Sequence, residues 1–104
     1  MPSAARVAKN ESLFREVNEQ IHKLEDKFGG NPVTRFICEC ARRECTTRVE
    51  ATLAEYRAVR AEPTHFLVQR GHVDPEHERV VRSTDRFSVV EKIGIAGALA
   101  DADA

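Results

Sequence analysis

All three cysteines of the chain fall in one short run, Phe36-Ile37-Cys38-Glu39-Cys40-Ala41-Arg42-Arg43-Glu44-Cys45. Thiolates so close together are what a soft or borderline cation takes as ligands, and a structural zinc ion is closed by a tetrahedron of four such groups. The C-x-C-x4-C spacing supplies three of them. His72 is the candidate for the fourth, because Gly71 before it permits a tight turn that swings the imidazole back over the cysteine loop. The expected metal set is therefore Cys38, Cys40, Cys45 and His72, holding Zn2+. Three cysteines and one histidine can also hold a [2Fe-2S] cluster, which is the alternative cofactor. A closed four-ligand site leaves no position for a substrate, so the metal is expected to be structural rather than a Lewis acid. In a rival reading the thiols of Cys38, Cys40 and Cys45 are themselves the reactive groups of a redox sensor or small thiol enzyme. Arg42 and Arg43 favour their ionisation, and Glu39 and Glu44 oppose it.

The remaining candidates are weaker. His22 falls on the polar side of a helix, His65 opens a strand and His77 lies in an acidic loop, all positions where a histidine is ordinarily bland. Asp74 and Glu76 follow His72 closely enough to orient its imidazole as hydrogen-bond acceptors. Ser12, Ser83 and Ser88 have no nucleophile context, and the chain has no phosphate-binding glycine loop, dinucleotide fingerprint or H-E-x-x-H pair. No catalytic residue is assigned.

These residues need a scaffold, and 104 residues suffice for one core. The expected organisation is a flexible N-terminus over 1–9, one domain over 10–93 and a flexible tail over 94–104. Only 6% of residues are aromatic and none is Trp, which predicts a modest core. A bound metal would compensate, since structural zinc contributes an apparent ~10–16 kcal/mol where a very small core supplies roughly 3–5 kcal/mol. With 16 basic against 17 acidic residues there is no general positive field, which argues against nucleic acid as a main partner. No run resembles a signal peptide or a membrane span, and an odd cysteine count suits a reducing compartment, so the expected location is cytoplasmic with no membrane contact.

Local patterns predict an α+β fold. Asn10 or Ser12 can cap a helix carrying Phe14, Val17, Ile21, Leu24 and Phe28 on one face, ended by Gly29-Gly30-Asn31-Pro32. The stripe suits packing on the protein's own sheet, and its 3-4 spacing also suits a homodimer through this helix. Val33–Ile37 reads as a strand running into the cysteine loop, and Thr46–Glu50 as a second short strand. Thr52-Leu53-Ala54-Glu55 is a capping box that opens a helix through about Ala61, with Leu53, Tyr56, Ala58 and Val59 inward and Arg57 and Arg60 toward solvent. His65–Gln69 is a third strand, and Arg79–Arg82 with Arg86–Lys92 a hairpin. The sheet is expected to be short and mostly antiparallel, with the metal loop at one end.

Taken together, Leu13–Ile21, the Phe36-Ile37-Cys38-Glu39-Cys40 run with Cys45, Glu55–Arg60, Gly71-His72 and Val89–Lys92 resemble a widespread family of small uncharacterised bacterial proteins with a C-x-C-x4-C…G-H motif. The likeness covers roughly residues 10–93 and implies one domain, but no activity. The expected function is a small zinc-binding regulatory or adaptor protein with a protein partner, recognised through arginines at Arg42, Arg43, Arg57, Arg60 and Arg70.

Overall fold

The computed structural model describes residues 4–28, 33–40 and 45–94, with side chains over 13–27, 33–40 and 45–94. Helix α1 (Ala4–Phe28) is followed by β1 (Thr34–Ile37), β2 (Arg48–Ala51), α2 (Leu53–Arg60), β3 (His65–Val68), β4 (Glu78–Ser83) and β5 (Ser88–Lys92). β1 and β2 form an antiparallel pair, and the other three strands form a sheet ordered β3-β5-β4, also antiparallel. The α+β reading and its element order hold. Residues 29–32, 41–44 and 95–104 lie outside the described residues, and with them the Gly29–Pro32 helix stop and the tail.

The strands are short: β1 and β2 alternate, β3 and β5 are buried almost throughout, and β4, at the sheet edge, leaves Val80 and Val81 exposed. Phe36, Val49, Ala51, Phe66, Leu67, Val68, Val89 and Val90 meet Tyr56 and Val59 of α2 and Phe87 in one core, which extends to Cys38 and Cys40. Phe36 and Tyr56 stack with centroids 4.4 Å apart. One ion pair is also buried, Lys92 with Glu78, beneath the Phe66 ring.

Two expectations for α1 need correction. The helix begins at Ala4, ahead of both Asn10 and Ser12, because Ala4–Lys9 holds strong helix formers and no breaker. The boundary set at residue 9 therefore lies inside a helix. The Phe14/Val17/Ile21/Leu24/Phe28 stripe also docks only in part, with Ile21 packed on the core. Leu13, Val17 and Leu24 are 56%, 41% and 58% exposed, Phe14 and Ile21 are half-buried, and Phe28's side chain lies outside the described set. The most deeply buried side chains on α1 are instead Arg15 and Asn18. Asn18 donates from Nδ2 to the carbonyl of Ile37 and accepts the Ile37 N–H on Oδ1, both at 2.8 Å. Its amide thus closes the free edge of β1, where unpaired backbone groups would otherwise meet the helix. Arg15 donates to the Pro63 carbonyl at 2.6 Å and lies 4.4 Å from the centre of the Phe66 ring. Polar bonds, not the apolar stripe, set the helix rotation.

The capping box of α2 is present as read: Thr52 Oγ1 accepts the Glu55 N–H, and Glu55 Oε1 accepts the Thr52 N–H. Ala58, placed inward by the sequence reading, is exposed. Arg57 and Arg60 are ion-paired across to α1, with Asp26 at 2.9 Å and Glu19 at 2.6 Å.

Glu55 also receives Arg86 of the β4–β5 turn on both carboxylate oxygens. Slight burial pushes its carboxyl up, but the Thr52 N–H and Arg86 outweigh this and hold it below the usual carboxylate range. A lowered folded-state pKa means stability that is present at neutral pH and lost as pH falls below the ordinary carboxylate range. Thr52→Ala is expected to cost ~1 kcal/mol through the cap alone. Glu55→Ala should cost more, since it frees both the cap and Arg86. Urea denaturation at pH 7 and pH 3 checks both, and the difference between Glu55→Ala and wild type should shrink at the lower pH.

Candidate metal centre

β1 and β2 are the arms of a hairpin whose connection, 38–47, carries all three cysteines. The connection starts held by two neighbours: the Cys38 N–H donates to the Thr47 carbonyl at 2.9 Å, and the Glu39 N–H to the Leu67 carbonyl of β3 at 2.8 Å. The first bond closes the hairpin end, and the second draws it against the three-stranded sheet. His72 arrives from the β3–β4 connection. There Gly71 takes a positive φ of 87°, which a side chain would resist, and the His72 N–H donates to the Gln69 carbonyl at 3.0 Å.

The result is convergence of the predicted set. One ligand atom from each of Cys38, Cys40, Cys45 and His72 lies within 4.8 Å of all the others. His72 Nδ1 stands 3.6 Å from Cys38 Sγ and 3.6 Å from Cys45 Sγ. Metal–sulfur bonds of about 2.3 Å and metal–nitrogen bonds of about 2.0–2.1 Å at a tetrahedral angle separate sulfur from nitrogen by about 3.6 Å. The donor set therefore fits one metal ion with Nδ1 as the imidazole ligand. Cys38 and Cys40 are buried and Cys45 is half-buried, and all three are free thiols.

Electrostatics point the same way. The Cys38 thiol is pushed well above the ordinary thiol range, first by its hydrogen bond with Cys40, then by burial and by the nearby thiols. The Gln69 N–H, 3.2 Å from Cys38 Sγ, works against this. Thiols packed this closely resist shared negative charge, and a divalent cation is what makes their ionisation favourable.

Glu39, between two of the cysteines and expected only to oppose their ionisation, is fully buried. Its Oε2 accepts from Asn18 Nδ2 and from the Tyr56 hydroxyl, both at 2.9 Å, and its Oε1 accepts the Leu67 N–H at 2.9 Å. Burial drives its carboxyl upward, and these three donors with Arg15 work against that rise. Burial, and then this same carboxylate, push the Tyr56 phenol far up, so its proton stays in the bond. Asn18 and Tyr56 were missed as site residues. The only sequence signal was an acid held between two cysteines on the end of an apolar strand.

Asp74 does not orient His72 as expected. Its carboxylate takes His77 Nδ1 at 2.7 Å and the Glu76 N–H, so this turn is closed on itself. His65 pairs with Glu91 at 3.1 Å on the β3–β5 ladder, and His22 packs beside Tyr56. No helix among the described residues is long and apolar enough to cross a membrane.

Comparison of the chain with protein-family models, with curated proteins and with solved structures finds no match in any of the three. The site is therefore read from its own chemistry.

Replacing Glu39 tests how the loop is held. Glu39→Ala leaves the Leu67 N–H, Asn18 and Tyr56 without their acceptor, and each unmet buried group costs about 1–3 kcal/mol. A total loss of ~3 kcal/mol or more is expected in urea denaturation, against ~1 kcal/mol for Tyr56→Phe. Equal and small losses for the two variants would show that the carboxylate is not the anchor.

Proposed function

We propose that this chain is a small zinc-binding regulatory or adaptor protein in which the metal is structural. The observation that carries the reading is the meeting of four donor atoms from two separate connections, one in each sheet. Three thiols and one imidazole leave a zinc ion no open position, which suits a staple rather than a catalyst. A [2Fe-2S] cluster would divide the same four ligands between two irons, and elemental analysis for zinc and iron separates the two cofactors.

Because an unfolded chain does not preform such a site, binding free energy is folding free energy. Native mass spectrometry with elemental analysis on freshly purified protein is expected to find about one zinc per chain. Cys38→Ser, Cys40→Ser and Cys45→Ser should each lose the metal and destabilise by about 4 kcal/mol or more. His72→Ala should be milder, with water in the fourth position, since Asp74 holds His77 elsewhere. A fully folded protein with no metal and three titratable thiols overturns the proposal.

The thiol-switch reading keeps one specific support, the partial exposure of Cys45. Alkylation of the native protein separates the two. Slow labelling that accelerates with chelator for all three cysteines supports the structural metal, and one fast thiol without chelator supports the switch.

For the protein partner, the exposed Leu13, Val17 and Leu24 support a second copy of this chain. Exposed Glu16 and Lys23 flank that face, so two antiparallel copies would set Glu16 of each against Lys23 of the other. Of the arginines first considered for a partner, Arg57 and Arg60 are already compensated by acids on α1. Sedimentation should show a dimer that Leu24→Glu dissociates; monomer at millimolar concentration removes the dimer.

A further inference from the structure

Between α1 and α2 lies a cavity of about 230 Å³ lined by Glu19, His22, Tyr56, Arg57, Arg60 and Ala61. Nothing in the metal centre uses it. Two nitrogens of its lining residues, His22 Nε2 and Arg60 Nη1, are buried and have no hydrogen-bond partner among the described residues. They come from different helices. Leaving two such groups buried and unmet is unfavourable, and native interiors ordinarily satisfy them.

Their surroundings define what would. Arg60 gives Nε to Glu19 at 2.6 Å, which fixes the guanidinium plane and leaves Nη1 for another acceptor. Arg57 is tied to Asp26 by an exposed bridge, a weak contact that a ligand can replace. The lining itself holds two guanidinium groups and the carboxylate of Glu19, with Arg57 balanced by Asp26 outside it. Tyr56 contributes its ring but not its hydroxyl, which is committed to Glu39, and Ala61 adds an apolar surface. Arg60 can only donate, and His22 donates from Nε2 as that tautomer or as imidazolium.

We propose that this cavity binds a small oxyanion, a carboxylate or a phosphate, whose oxygens accept from Arg60 Nη1 and His22 Nε2. A planar or tetrahedral oxyanion offers two acceptors from one charged group, which is the geometry guanidinium recognition uses. The inference is independent of the metal reading, since none of its residues is a proposed metal ligand.

The test is titration of the full-length protein, as purified, with sodium acetate and, separately, with inorganic phosphate. Backbone amide shifts are followed by NMR at constant ionic strength with chloride as balance. Saturable shifts at His22, Arg57 and Ala61 are expected for at least one anion, and the tighter of the two identifies the ligand chemistry. Arg60→Gln and His22→Leu should each weaken that binding by tenfold or more, while Arg79→Gln on the far sheet leaves it unchanged. If one of the two lining variants fails to fold, the other carries the comparison. Shifts that do not saturate with either anion, or binding equally tight in a folded lining variant, overturn the proposal.

Discussion

The buried carboxylate of Glu39 is the interaction on which the rest of the structure depends. Its three donors come from three elements: Asn18 from α1, Tyr56 from α2 and the Leu67 N–H from β3. Burial of an acid is costly, and only donors fixed in place make it tolerable. Each element must therefore hold its position for the carboxylate to be satisfied, and the carboxylate in turn fixes the strand end from which Cys38 and Cys40 project. Glu39 faces these donors while Cys38 faces His72 and Gln69, so one short segment serves the core and the cysteine–histidine cluster from opposite sides.

A consequence is that α1 is positioned by directional bonds rather than by its most hydrophobic residues. Apolar contact is roughly proportional to area and has little angular preference, whereas the Asn18 amide meets the Ile37 N–H and carbonyl in one register only. Arg15 adds a second fixed point at the Pro63 carbonyl. The Arg60–Glu19 and Arg57–Asp26 pairs are more exposed and so add less than these bonds to the choice of rotation.

The parts of this fold legible in the sequence were those with local causes. The Thr52–Glu55 capping box announces α2, β-branched and aromatic runs announce the strands, and Gly71 beside His72 announces a turn toward the cysteines. The four residues that cluster could be named because cysteine chemistry restricts the choice so strongly. What was not legible depends on pairs distant in sequence. Asn18 closing the edge of β1 spans 19 positions and Tyr56 to Glu39 spans 17, and neither residue type declares such a role by itself. The stripe on α1 was legible as a pattern but not as to which surface it faces, because periodicity reports that a helix is amphipathic and not what lies against it.

The cysteine–histidine cluster and the Glu39 network cross the same seam. A metal held by the cysteine connection and His72 would join the β1–β2 hairpin to the end of β3, and the Glu39 N–H and carboxylate join it to Leu67 within β3. Two ties across one seam share the loop-ordering cost, because the second is made in a segment the first has already fixed. Losing either tie raises the entropic cost carried by the other, so their contributions are coupled and not additive. This coupling gives the acid a physical reason to lie between the cysteines: the segment that must be held rigid to gather three thiols is held from behind by a group that cannot move without leaving three buried donors unmet.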